Sequence, residues 1–363
     1  MSVMEVGNVA KVRKYIERQL MGLAVGEKLT PVRKIISESG STRTGVENAL
    51  GQLVFDGYIH RKPRQGIIKA ARCIAPLSCV DLVAFVDRTS PEVVDSGFQK
   101  SMYSGILTEA CAAQAGDGHQ SVRIHYFDYN ISASIFERFA ARNDLRACIL
   151  LWSNTPTFAK ILDDHNVAYV SLHPRIGPHG CCSIYTSPDQ VRLQLEHLWQ
   201  HGHSRIAYLY PGSEKDVGIG YSTIQRRETY YRLMAENGFK VGPNWVVSAD
   251  YKEISILSAL EKIFKCEPYP TAAIVADPHL PVTCNFLENR GISIGKRFSI
   301  VGTDDIVVSA MMSPPVTSVH NSPLVAAKMA FENLTKILHG EKVEKIQYVP
   351  AELVVRQSTG PVV

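Results

Sequence analysis

Nothing in this 363-residue chain approaches the roughly 18 consecutive apolar residues of a membrane helix. The opening MSVMEVGNVAKVRKYIERQ also has no apolar core of the kind a secretory signal carries, so a cytoplasmic protein is expected. The eight cysteines (73, 79, 111, 148, 181, 182, 266 and 284) form no C-x-x-C pair and read as reduced thiols. His173, His179, Cys181 and Cys182 in HPRIGPHGCC fit no common zinc framework, because adjacent cysteines seldom serve one tetrahedral ion. There is no G-x-x-x-x-G-K-[ST], and GIGYST is one glycine short of a dinucleotide fingerprint. No catalytic residue, cofactor or metal is therefore expected.

What is present is an ordinary globular composition, 45% hydrophobic and 20% charged, with length enough for two or three domains of about 150 residues. The net charge of +4 conceals a split. Residues 1–72 hold 13 Lys and Arg against 6 Asp and Glu, whereas residues 73–363 hold 26 against 29. A basic head on a slightly acidic body points to a head that meets a polyanion.

The head reads as three helices and a hairpin. VAKVRKYIERQLMGL carries Val9, Val12, Ile16, Leu20 and Leu23 at helical spacing. A short helix, PVRKIISES, starts on Pro31 and stops at Gly40. The next helix opens with STRT and carries the apolar stripe Val46, Ala49, Leu50, Leu53 and Val54. Two β-segments then flank the basic turn Lys62-Pro63-Arg64-Gln65-Gly66. Such a winged helix-turn-helix can present its third helix to a major groove and its wing to the adjacent backbone.

The stretch GEKLTPVRKIISESGSTRTGVENALGQLVFDGYIHRKPRQGIIKA resembles the DNA-binding domain of GntR-type regulators. The resemblance implies DNA contacts from Arg33, Thr42, Arg43, Thr44, Gly45, Lys62, Arg64 and Gly66, with Arg43 on a guanine edge. Gly45 and Glu47 depart from the family pattern. Glu47 stands three residues after Thr44, the spacing of a capping box.

After a short linker at 71–77, strand-like runs (CVDLVAFV, VRIHYF, ACILLW, VAYVSL, RIAYLY, WVVSA, TAAIVA, FSIVG) alternate with amphipathic helices. This βαβ series predicts parallel sheets, and its length predicts two α/β lobes around a cleft at the carboxyl ends of the strands. The segments HLWQHGHSRIAYLYP, FSIVGTDDI and SPPVTSVHNSPLVAAKMAFENL resemble the effector domain of LacI/GalR-type repressors, itself similar to periplasmic sugar-binding proteins. A GntR-type head on such a body is the arrangement of arabinose-type repressors. The resemblance implies lobes at about 78–186 plus 320–348 and 187–319 plus 349–363, with the crossovers as hinges. It also implies an effector site at Arg227, Asp277, Asp304 and Tyr251, to which strand ends add Arg88, Trp152, His173 and Asn321. Tyr230, read as standing where the family has glycine, is expected to narrow the cleft. The partners expected are double-stranded operator DNA, a sugar, sugar acid or sugar phosphate, and a second copy of the chain. The alternatives are a solute-binding protein without DNA function and a sugar-acting α/β enzyme.

Overall fold

The computed structural model describes residues 3–24, 26–55, 58–62, 66–70, 79–86, 106–114, 121–128, 130–142, 145–165, 167–212, 220–265 and 267–362. The head comprises α1 (Val3–Met21), α2 (Val32–Ser39), α3 (Arg43–Phe55) and an antiparallel hairpin of β1 (Ile59–Lys62) and β2 (Gly66–Lys69). Gly40, at φ 62°, ends α2 in the left-handed conformation that glycine adopts most readily. Val12, Ile16, Ile35, Val46, Leu50, Leu53 and Ile59 form one buried core, whereas Val54, expected on the inner stripe of α3, is exposed because it lies off the face that Val46, Leu50 and Leu53 share. Tyr58 lies between the guanidiniums of Arg13 and Arg146, at 5.8 and 5.7 Å from its ring centre, and so joins the head to the body.

The body holds two six-stranded sheets. The first contains β3 (Cys79–Val86), β4 (Ser121–Asp128), β5 (Ala147–Leu151), β6 (Ala168–Leu172), β7 (Ser183–Thr186) and β13 (Ile346–Val349), in the order 13-7-6-5-3-4 and all parallel. Around it stand α4 (residues 106–114), α5 (Ala133–Ala140), α6 (Pro156–Asp164) and α12 (Pro323–Leu338). Every residue of ACILL in β5 is buried, as suits a central parallel strand covered on both faces. Thr155 caps α6 by accepting from the Thr157 N–H at 3.2 Å, with Pro156 at the first helical position.

The second sheet contains β8 (Ile206–Pro211), β9 (Val246–Ala249), β10 (Ala272–Val275), β11 (Ser299–Asp304), β12 (Thr317–Asn321) and β14 (Ala351–Val354), in the order 14-12-11-10-8-9. Its helices are α7 (Gln190–Gln200), α8 (Tyr221–Glu236), α9 (Glu253–Phe264), α10 (Leu280–Asn289) and α11 (Val307–Met311), with a 3-10 turn at Asp277–His279. One strand departs from the all-parallel expectation: β14 runs antiparallel to β12. The chain passes from β13 to β14 through Pro350 alone, so it reaches the second sheet from the opposite direction.

Each sheet lies between two apolar layers, one set by Leu82, Ile149, Val170 and Ala330 against Val83, Phe85, Phe136 and Leu150, the other by Leu209, Val275, Leu260 and Ile300 against Tyr208, Tyr230, Leu233 and Ile274. No described helix is long and apolar enough to cross a membrane.

Candidate functional site: the interlobe cleft and the front of the third helix

Strand ends in the cleft carry unusual backbone. Among the described residues, the non-glycine positions at positive φ include Trp152 (54°) after β5, His173 (46°) after β6, and Asp304 (85°) and Asp305 (46°) at the end of β11. Side-chain-bearing residues are strained there, and such strain gathers where a side chain must be aimed at a ligand.

The surroundings hold these residues in place. His179 Nε2 lies 3.2 Å from Ser153 Oγ and 3.0 Å from Ser171 Oγ, and its Nδ1 lies 3.1 Å from the Gly177 carbonyl. The loop between β6 and β7 is thereby tied to the ends of β5 and β6. The His173 N–H donates to the Ile184 carbonyl at 2.8 Å, and the Arg175 N–H to the Ser153 carbonyl at 2.9 Å. Burial, helped by the charge of Arg226, lowers the His173 pKa to about 4, so its imidazole is neutral near pH 7.

The other lobe supplies the charged floor. Arg226 on α8 lies 3.7 Å from Asp304 and is largely buried. Asn321, at the end of β12, donates to Asp304 Oδ1 at 3.2 Å, and Gln190 is the first residue of α7. With its amide oxygen turned toward Arg226, Gln190 accepts from Nε at 3.1 Å and Nη1 at 2.6 Å. Burial raises the Asp304 pKa, while Arg226 and Asn321 oppose the shift. Two crossover segments, at Gln190 and Asn321, are thus tied to the cation and the carboxylate of the cleft.

Here Arg226 occupies the place that sequence reading gave to Arg227. The Arg227 guanidinium instead lies over the Tyr210 ring, 5.5 Å from its centre, with Nη1 donating to the Tyr210 hydroxyl at 3.1 Å. The buried stripe of α8 explains the register: Thr223, Arg226, Thr229, Tyr230 and Leu233 share the inner face. Tyr230 accordingly does not narrow the cleft; it is wholly buried in the lobe core, where its hydroxyl donates to the Ile206 carbonyl at 2.5 Å.

Asp277 differs from the expected ligand contact in its surroundings. It is fully buried and accepts from the Thr303 N–H at 2.5 Å, the Ile306 N–H at 3.0 Å and the Ser318 hydroxyl at 3.0 Å. Burial first, then the Asp304 charge, pushes its pKa well above the ordinary range, against those three donors. Its contacts organise the turn that presents Asp304. Trp152 is half-buried against the first lobe's core, and Tyr251 lies 5.8 Å, centre to centre, from the buried His279 ring. Arg88 lies outside the described residues.

In the head, Arg33, Thr42, Arg43, Thr44 and Lys62 are exposed, together with Gly66 at φ 90°. Gly45 is buried, and its N–H donates to Thr42 Oγ1 at 3.1 Å, so Thr42 caps α3. Glu47 does not close a capping box with Thr44; it pairs with Arg61 on β1 at 2.7 Å. Arg64 lies outside the described residues. Among the described residues no group of three or more His, Cys, Asp or Glu could hold a metal ion. His203 is buried and bonded to Thr271 Oγ1 and Ser299 Oγ, both at 2.9 Å.

Residues 195–359 match the periplasmic binding protein-like domain. A curated relative, the HTH-type transcriptional repressor PurR of Aliivibrio salmonicida (strain LFI1238), is 26% identical over 183 residues, 50% of this chain and 54% of that protein. The chain spans about half the length of the curated relatives it matches. A LacI family transcriptional regulator from Mycobacterium smegmatis superposes with a TM-score of 0.61 at 21% identity, over 78% of this chain and 100% of its own. The transcriptional regulator CelR in complex with cellobiose superposes with a TM-score of 0.64 at 18% identity, over 96% of this chain and 99% of its own. The two-lobed body of this chain therefore has the periplasmic-binding-protein-like fold found in LacI-family regulators.

Proposed function

We propose that the chain is a ligand-responsive, DNA-binding transcriptional repressor, cytoplasmic and homodimeric, with a GntR-type head and a sugar-sensing body. The carrying observation is the direct linkage of cleft to crossovers: Arg226 and Asp304 form the charged floor, and Gln190 and Asn321 bind them while standing on the segments that join the lobes. A ligand that competes for Arg226 or Asp304 acts on the hinge itself, and differential affinity for open and closed lobes is what gating requires. A carboxylate, a buried guanidinium and a neutral imidazole suit a polyhydroxylated ligand or its acid or phosphate ester.

The head supports the DNA half of the reading. Its exposed Thr42, Arg43 and Thr44 stand at the start of α3, where N–H groups and the helix dipole favour phosphate, while Val46, Leu50 and Leu53 are buried. By its place there, Arg43 reads a base edge, and Arg33, Thr42 and Thr44 hold phosphates. The names of the relatives, repressors and regulators, agree with this reading.

The test joins two measurements on the full chain. A thermal-shift panel of sugars, sugar acids and sugar phosphates identifies a ligand through the stability it adds. Fluorescence anisotropy with fragments upstream of the chain's own coding region is then read with and without that ligand. Ligand-dependent release at a specific fragment is the expected result; failure to bind any duplex at low salt would sink the proposal. Arg43→Ala is expected to weaken specific binding by about 1–3 kcal/mol more than random duplex binding.

A further inference from the structure

We propose that Tyr221, the first residue of α8, is an interlobe latch that holds the two lobes closed when no ligand is bound. Although α8 belongs to the second lobe, its first turn rests on the first. The Tyr221 N–H donates at 2.9 Å to the carbonyl of Arg175, in the loop after β6. Its ring lies 4.9 Å, centre to centre, from Tyr185 on β7, inclined by 46°. Tyr185 is wholly buried, its hydroxyl donates to the Ile176 carbonyl at 2.9 Å, and its ring lies 6.5 Å from Tyr348 on β13. Gly177 adds a third contact: a Cβ built there would lie 3.8 Å from Tyr221 Cδ2.

The helix start itself makes this contact consequential. The first N–H groups of any helix need partners from outside it. The residue before α8 is Gly220, with no side chain to cap it, and the first lobe answers the Tyr221 donor instead. Opening the lobes would return that N–H to water and uncover the face of a buried tyrosine. The N–H exchanges one partner for another at little net cost, whereas the aromatic pair is lost outright. A latch of this kind is weak enough for a ligand to override and strong enough to bias a resting equilibrium.

The contact is distinct from the charged floor. Arg226 lies five residues along α8, where it meets Asp304 and Gln190 of its own lobe. Tyr221 meets lobe one through a backbone donor, its ring and its hydroxyl, which hydrogen-bonds with Tyr348 on β13. Its removal therefore changes closure while leaving the charged groups of the cleft in place.

Hydrogen exchange and small-angle X-ray scattering on the ligand-free full chain test the latch, and neither readout depends on DNA or on an effector. In Tyr221→Ala, exchange in the peptide that spans the first turn of α8 is expected to rise about two- to tenfold, with a larger radius of gyration. Tyr221→Phe keeps the ring and loses only the hydroxyl's bond to Tyr348, so it should loosen the lobes clearly less than Tyr221→Ala. Circular dichroism checks that each variant folds, and Tyr221→Leu serves the same comparison if the alanine variant does not. Native exchange together with a native radius in the truncated variant would overturn the latch. Equal loosening in Tyr221→Phe would also overturn it, because the ring would then not be what holds.

Discussion

Arg226 on α8 and Asp304 at the end of β11 face each other at 3.7 Å in the cleft, their side chains 11% and 32% exposed. The separation is that of an ion pair without a tight hydrogen bond. Asp304 also accepts from Asn321, and Arg226 also meets Gln190, so each member of the pair reaches a different crossover. Under the proposed function, a ligand hydroxyl or anion entering here would replace part of the pair and alter both links together.

Arg226→Ala is expected to abolish the ligand-dependent rise in melting temperature, and Arg227→Ala to preserve most of it. Arg227 is engaged with Tyr210, whereas Arg226 faces the carboxylate. Loss of Arg226 also leaves Asp304 without its cation in a poorly hydrated place, with a stability cost of about 1–3 kcal/mol. Thermal-shift titrations of the two variants side by side make the comparison. A full response in Arg226→Ala would remove it from the site.

Gly302→Ala is expected to destabilise the second lobe by about 1–3 kcal/mol, read as a lower urea midpoint. A Cβ at Gly302 would stand 2.2 Å from Asp277 Oδ1 and 2.7 Å from Ser318 Oγ. The glycine of FSIVGTDD is thus required by the close approach of β11 to the buried Asp277, not by a special φ. Asp277→Ala should cost at least as much, since two backbone N–H groups and a hydroxyl lose their acceptor at once.

These two variants also mark where sequence reading stopped. The alternation of strands and helices was legible because runs such as ACILL and AAIV are buried on both faces and have no other stable use. The strand ends carrying Trp152, His173 and Asp304 were legible for the same reason: a run's end is visible. The direction of a side chain at or beyond that end was not. Asp277 follows its strand just as an outward residue would, yet it turns inward to three donors. Adjacent arginines on a helix point about 100° apart, and only the stripe through Tyr230 and Leu233, extended back seven residues from Leu233, selects Arg226 over Arg227. The latch left no sequence signal, because it pairs a helix start with a strand far away in the chain.

Acid should destabilise the fold between about pH 6.5 and pH 4. Burial, with the Arg226 charge, lowers His173 to about 4, and burial likewise lowers His279 to about 4. The unfolded chain binds a proton at each site near the ordinary histidine value, and the folded chain does not until lower pH. Stability from these groups is therefore complete above about pH 6.5 and is lost as pH falls toward 4. Urea midpoints across that range check the sign. His173→Gln should reduce proton uptake on unfolding near pH 5 by about one. An unchanged slope would mean that the imidazole is protonated in the folded chain.

The pairing of Glu47 with Arg61 at 2.7 Å carries the last prediction, on the DNA side. Both side chains are more than one-third exposed, so the pair adds at most about 1 kcal/mol to stability. Its larger effect falls on the charge of the surface formed by α3 and the wing. Glu47 neutralises one wing cation and places a carboxylate in the same turn as Arg43 and Thr44. Glu47→Ala should therefore bind duplex more tightly, and the log–log salt dependence should steepen by about 0.9 if the freed Arg61 reaches one phosphate. The gain should be equal for specific and random duplexes, because a phosphate contact carries no sequence choice. Anisotropy titrations at several salt concentrations measure both quantities. Weaker binding in Glu47→Ala would show that the carboxylate instead holds Arg61 in a productive pose, and an unchanged salt slope would place Arg61 away from the backbone altogether.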